Sequence, residues 1–546
     1  MISSRTTRTI PLAALALIAG CRRELSGFPA PDNELYFPLP VQLHTVPART
    51  DAAGNAVPEK HVAYVGSTNW DQRYNSGWIS VVDLDLMISK NRNFKNYGSS
   101  EVGTDGALLP AAVINHDRNA SPPDGNHILV PSLGGGMKVS PDGRLMVATF
   151  RNRAQIMVFE IRDDGSLYCG DPQSQAGLNA DDRLTDCDGA HIYNFTQRGP
   201  DFGLIQDQFV DPFSVQFLDG PTSDSYTLVI GFLQAFQGIR QTTNNRTPEN
   251  TGALISFLDL NAARDPDTGL LAAGELLGNQ RSINLSLLTG TQVLASTTVA
   301  IYPVTTFGRY VTIAARGLAT TSLTTTTLFN IDIDNFDFYA DNTEDLNDDV
   351  NNIANLNVFD VRSDSGGFNV SDLVYKSDGT RAFITLSYSQ QAAGVADSVV
   401  MLDSSLRTET IIRNNDERVQ VTRPIFRLLD TIPVLGTPQS LQYIERAGVA
   451  PLVVTATLVD NSVHFIRVNP TSLDALTRVD YQVGQAPTTV RYTRFAVPGD
   501  AAPHDYVFIP SFLDHGFNFF DITNTDPAKW GQGYIRSDLD EGNRYR

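Results

Sequence analysis

Cysteine is scarce in this chain: three residues in 546, at positions 21, 169 and 187. That excludes a disulfide-dense scaffold and a four-cysteine metal centre. Beyond the first twenty residues no apolar run approaches the roughly 20 residues of a spanning helix. Basic residues are outnumbered, 41 Lys and Arg against 61 Asp and Glu, for a formal charge of −20. Such an acidic balance disfavours nucleic acid and anionic headgroups as partners. No Gly-x-Ser-x-Gly elbow, phosphate loop or His-Glu-x-x-His helix is present. No Cys-x-x-Cys-His occurs, so covalent haem is not implied and no cofactor is expected.

Long helical periodicity is also missing. In its place stand 41 glycines, 29 prolines and many short runs rich in Val, Ile, Thr, Phe and Tyr. These point to an all-β chain. The stretch "MKVSPDGRLMVATFRNRAQIMVFEI" (137–161) sets out a grammar: strand, Ser140-Pro141-Asp142-Gly143 turn, strand, polar link, strand. Proline presets such a turn and glycine takes its positive φ. The same grammar recurs near 61–86, 212–260, 297–333, 368–403, 438–468 and 487–522. Seven closing strands end at Asp83, Glu160, Asp259, Asp332, Asp403, Arg467 and Asp521, spaced 54 to 99 residues apart. A minimal four-stranded blade takes about 40–45 residues, so polar inserts at 90–125, 163–200, 236–250 and 334–360 carry the excess. Seven meanders that cannot cover their own faces bury them against neighbours around an axis. The expected fold is a β-propeller of seven blades, each a four-stranded antiparallel sheet. A series of β-sandwiches is the rival.

The wording "SPDGRLMVA" (140–148) and "KSDGTRAFIT" (376–385) resembles the YVTN and WD40-like seven-bladed propeller families. That resemblance implies the ring and no particular activity. The start of the chain carries a second one. Arg5 and Arg8 precede a short apolar run, and Ala19 and Gly20 precede Cys21, the three parts of an export signal. Leu17-Ile18-Ala19-Gly20-Cys21 resembles the lipobox of bacterial lipoproteins. It implies cleavage before Cys21, acylation there, and attachment to a membrane of the cell envelope. Arg22, where an aspartate would imply inner-membrane retention, leans this towards the outer membrane. The expected layout is a signal at 1–20, a lipidated tether at 21–36, a propeller over 37–525 and a tail at 526–546. The segment 34–43 is expected to close the ring onto the last blade, and the tail to pack along the rim.

Cys169 and Cys187, eighteen residues apart in a Gly- and Asp-rich loop, read as a disulfide in an oxidising compartment, with two free thiols as the alternative. Eight histidines are dispersed, and His504 and His515 read as an exposed loop pair. The acidic segment 331–352 offers Asp334, Asp337, Asp341 and Asp345 as weak Ca²⁺ ligands, but it lacks the glycine and glutamate of an EF-hand loop, and a solvated loop is the plainer account. Gly134-Gly135-Gly136 opens the second unit where propeller backbones crowd, which makes Lys138 a candidate for the channel, with pairing to a neighbouring acid as the plainer account.

Three functions compete. The residues favour a lipid-anchored binding or scaffolding propeller for an envelope protein or glycan, without turnover. The alternatives are a propeller enzyme of lactonase or quinoprotein type, and a structural subunit of an envelope secretion or motility complex.

Overall fold

The computed structural model describes residues 30–536, apart from segments of which the longest are 92–106, 171–184, 196–210, 318–325, 336–355, 361–368 and 388–396. Cys21, Asp337, Asp341 and Asp345 lie outside the described residues. The chain forms seven antiparallel sheets in sequence order, the seven blades of a β-propeller. The second blade is representative. Its inner strand Gly134–Val139 pairs with Leu145–Phe150, and that pairs with Gln155–Ile161. The outer edge is split: Leu167–Tyr168 covers one end and Ile192–Asn194 the other. Cys169 and Cys187 are joined by a disulfide in the link between these two pieces, and both are buried.

Period-two alternation explains why the middle strands read as unbroken apolar runs. In Lys60–Ser67, Val62 and Tyr64 point into the core shared with the second blade, while Ala63 and Val65 point into the core shared with the seventh. A strand buried on both faces leaves no polar stripe. Each of the seven blade-to-blade seams holds its own apolar cluster. The Ser140 turn forms as its residues dictate: Gly143 takes φ +72°, and Ser140 Oγ accepts the Leu145 N–H at 2.9 Å.

Three expectations are corrected. The strands ending at Asp83, Glu160, Asp259, Asp332, Asp403, Arg467 and Asp521 are third strands, not closing ones. True outer strands such as Arg427–Pro433 and Leu473–Gln482 are half exposed and polar, so they lack the apolar signal. The segment 34–43 does not complete the last blade. Its strand Pro38–Val46 is the inner strand of the first blade, paired with Lys60–Ser67. Finally, the tail does not lie along the rim. Gly531–Arg536 is the fourth strand of the seventh blade, so the ring extends past residue 525.

Closure is therefore a seam between the first blade and the last, with no shared sheet between them. A clasp reinforces it. Ala107–Leu108, from the insert of the first blade, adds in parallel to the outer edge Ile535–Arg536 of the seventh. The helices Leu84–Asn91 and Ala111–Ile114 bury Met87, Ile88, Val113 and Ile114 in the same seam.

Candidate functional site at the channel mouth

Inner strands begin at one end of the ring and finish at the other. At the end where they finish, all seven surround a cavity of about 670 Å³. The register makes equivalent positions comparable. Each inner strand carries a buried apolar residue, or in the seventh blade directly follows one, namely Val41, Met137, Val215, Val299, Leu373, Leu441 and Val490. The next residue in each strand lines the cavity. Five of those seven are polar: Gln42, Lys138, Gln216, Gln442 and Arg491. The other two are Ala300 and Val374.

Lys138 lies in this ring. Its Nζ makes no hydrogen bond or ion pair among the described residues. Burial pulls its pKa down from 10.5 to about 8, the nearby Arg491 charge pulls the same way, and Asp372 opposes both. The glycines before it allow the approach. A Cβ on Gly135 would sit 2.7 Å from the Pro212 carbonyl oxygen, and one on Gly136 would sit 2.6 Å from that of Phe213. Both carbonyls belong to the third blade's inner strand, so the second blade meets it backbone to backbone.

Arg491 donates from Nε to the Val41 carbonyl at 3.0 Å, crossing the closing seam, and from Nη1 to the Val490 carbonyl at 2.9 Å. Burial lowers its pKa and Asp372 opposes the change. Asp372 accepts the Leu441 N–H of the next blade at 2.7 Å and that of Leu373 at 2.9 Å. Burial raises its pKa against those bonds and the Arg491 charge. Four charged residues thus line the cavity: Lys138, Arg491 and Lys376 are cationic and Asp372 is anionic. Lys376, on the rim, is paired with Asp378. Burial lowers the pKa of His44, which favours its neutral form. The side chains that line the mouth are more cationic than anionic, in a strongly acidic chain.

Side-chain amides and rings complete the wall. Gln42 and Gln442 donate to the carbonyls of Leu43 and Tyr443, each at 3.2 Å, and Gln216 donates to Val299 at 3.1 Å. Among the described residues no hydrogen-bond donor reaches their amide oxygens. Phe217, Tyr375, Tyr443 and Tyr492 supply aromatic surface. The Tyr443 and Tyr492 hydroxyls are tied to Glu445 at 3.0 Å and Asp505 at 2.7 Å.

Lys138 was singled out in the sequence; Arg491 and Asp372 were not. A signal for Arg491 existed: a polar residue directly after the buried apolar one, as in Val41-Gln42, Met137-Lys138, Val215-Gln216, Leu441-Gln442 and Val490-Arg491. Asp334, the one calcium candidate among the described residues, pairs with Arg309 Nε at 2.7 Å and accepts the Arg309 N–H at 2.9 Å. Among the described residues no group of three or more His, Cys, Asp or Glu is placed to hold a metal. His504 and His515 do not meet. They stand at opposite ends of the seventh blade's second strand, His504 on Asp521 at 2.7 Å and His515 on the Phe37 N–H at 3.0 Å.

No protein-family model matches the chain, and no curated protein does. Among solved structures it is similar to the periplasmic gluconolactonase of Pseudomonas aeruginosa, at 12% identity over 91% of this chain and 97% of that one, TM-score 0.38. It is also similar to a putative 6-phosphogluconolactonase from Bacteroides fragilis, at 12% over 81% and 85%, TM-score 0.35. The WD40 domain of Toxoplasma gondii coronin is a third, at 7% over 93% and 90%, TM-score 0.35. No residue role is carried over from them, and the site rests on its own geometry.

Proposed function

We propose that this chain is an exported propeller, tethered to an envelope membrane through Cys21, that binds an acidic saccharide at the mouth of its channel. The observation that carries the ligand is the ring of Lys138, Arg491 and three glutamines around a cavity of about 670 Å³. That volume lies within the range of small-molecule sites, about 300–1,000 Å³. Carboxylate pairs with the guanidinium and ammonium. Amides exchange hydrogen bonds with sugar hydroxyls, and aromatic faces cover the apolar side of a sugar ring. The disulfide supports an oxidising compartment. The strands flanking the inserts 90–125, 163–200 and 334–360 open towards the same end of the ring, which suits a longer glycan or a glycan-bearing partner.

The test is a thermal-shift panel of uronic and aldonic acids beside their neutral parent sugars. Stabilisation by the acids alone, lost in Lys138→Met, supports the reading. Equal response to neutral sugars overturns it.

A second reading, hydrolysis of a sugar lactone in the same cavity, is favoured by Lys138. An amine with a pKa of about 8 is partly free near neutral pH and can take a proton from water attacking a carbonyl. Ring opening would yield a hydroxy acid of the class the mouth is built to hold. Turnover of a lactone panel that stops in Lys138→Met would favour this reading over binding alone.

A further inference from the structure

Seven large apolar side chains are exposed among the described residues. Four of them lie on one face. Trp70 (51% exposed), Val459 (70%) and Leu513 (52%) sit in the turns joining second to third strands of the first, sixth and seventh blades. Leu435 (70%) lies in the link that leads from the fifth blade into the sixth. In a meander blade, both kinds of connection fall at the end where inner strands begin. That is the end opposite the cavity.

The described chain also starts there. Ala30 packs with Tyr36 and Trp78. Tyr36 donates its N–H to Ser67 Oγ at 3.1 Å and its hydroxyl to Asp71 at 2.5 Å, and it stacks on His515 with ring centroids 4.7 Å apart. Trp70 meets Phe512 of the last blade edge to face, 6.0 Å between centroids. The chain is therefore pinned across the closing seam, in the middle of the exposed apolar arc. Eight residues lie between Cys21 and Ala30, nine Cα steps with a reach of about 30 Å when fully extended.

We propose that this arc, formed by blades six, seven and one, rests in the interfacial layer of the bilayer that holds the chain, with the cavity facing away. The proposal builds on the reading of Cys21 as a lipid anchor. Tryptophan favours the membrane–water interface, and leucine and valine gain by leaving water. Each acid on these turns makes at least one hydrogen bond within the protein. Asp71 accepts the Tyr36 hydroxyl, Asp460 the Ser462 hydroxyl at 2.6 Å, and Asp514 the Gln485 N–H at 2.6 Å. Among the described residues no cluster of lysine and arginine accompanies the arc, so its contact is apolar and does not call for anionic lipid. A hairpin, Gln237–Thr242 with Asn245–Asn250, extends from the third blade at this same end. It stands across the ring from the arc, so the contact is one-sided.

Trp70 provides a direct readout, because Trp78 and Trp530 are buried. The acylated chain is reconstituted in zwitterionic phosphatidylcholine vesicles whose acyl chains are brominated just below the headgroups. In parallel, the Cys21→Ser chain is held on the same vesicles through an amino-terminal histidine tag and a nickel-chelating lipid. Flotation of the first sample tests the anchor; the second reads the face whether or not Cys21 carries lipid. The expected result is quenching and a blue shift of the emission in both, absent in Trp70→Phe. With the anchor removed and no tag, Val459→Asn with Leu513→Asn should weaken vesicle partition by about tenfold or more. Tag-held protein whose Trp70 emission matches that on unbrominated vesicles would overturn the proposal, and would leave a protein partner as the occupant of this face.

Discussion

Arg491 of the last blade donates from Nε to the carbonyl of Val41 on the first, 3.0 Å across the seam that closes the ring. One side chain thus brings charge to the channel mouth and ties the two ends of the fold together. Arg491→Met should lower stability by about 1.5–3 kcal/mol, the scale of a hydrogen bond from a charged donor. It also removes the positive charge that opposes the rise of the Asp372 pKa. Arg491→Lys should restore much of the ligand affinity but little of the stability, because the ammonium has no planar fork to reach Val41. Urea unfolding beside ligand titration separates the two effects.

Lys138 predicts a pH dependence with a definite sign. Its pKa is about 8 in the fold against an ordinary 10.5. Between those values the unfolded chain binds more protons than the folded one, so stability rises with pH across that window. Below about pH 8 both states are protonated and the cost of the buried charge is fully present. Lys138→Met should therefore be more stable than the parent at pH 7, with the difference shrinking towards pH 10. Ligand affinity should run the other way and fall as pH passes 8. Melting curves and titrations from pH 6 to 10 check both; a flat difference in melting temperature would contradict the first.

Gly135 and Gly136 hold the second blade against the third. A Cβ at either would meet backbone of the third blade, at 2.7 Å and 2.6 Å. Gly136→Ala should cost about 1–3 kcal/mol, as overpacking does. Gly189 has open space around its Cβ position, and Gly189→Ala should be close to neutral. Equal melting temperatures for the two variants would mean the blades can part without cost.

Cys169 and Cys187 contribute through their bond and through burial in the core between the first two blades. Reduction should lower stability by roughly 3 kcal/mol on the chain-entropy account of a loop this long. Cys169→Ser with Cys187→Ser should lose more, because two hydroxyls then replace buried sulfur. Maleimide labelling of the native protein should find neither cysteine.

The ring was legible because strands buried on both faces leave continuous apolar runs. "HVAYVG" and "SYTLVIGF" stand out wherever they occur. Third strands carry a charged residue at or near their end, and some of these pair with a neighbour, as Asp83 does with Lys60 at 3.7 Å and Asp521 with His504 at 2.7 Å. Outer strands were hidden for the converse reason. Leu473–Gln482 buries little beyond its first residue, and its polar sequence passes for loop. The strand Pro38–Val46 was disguised by two prolines near its start. At the site, three successive glycines pointed to crowded backbone beside Lys138, but they did not decide between a place in the channel and a plain ion pair. Arg491 and Asp372 are single polar residues in blades far apart in sequence, and only the strand register brings them into one cavity.

The central claim is that the channel mouth recognises a negative charge on a sugar. The most direct measurement is calorimetric titration of galacturonate and of galactose into the parent protein and Lys138→Met at pH 7. The account predicts binding of the acid at least tenfold tighter than of the neutral sugar, a gap of about 1.4 kcal/mol or more, and loss of most of that gap in the variant. Equal affinity for the two sugars, or a preference for the acid that survives in Lys138→Met, would contradict it.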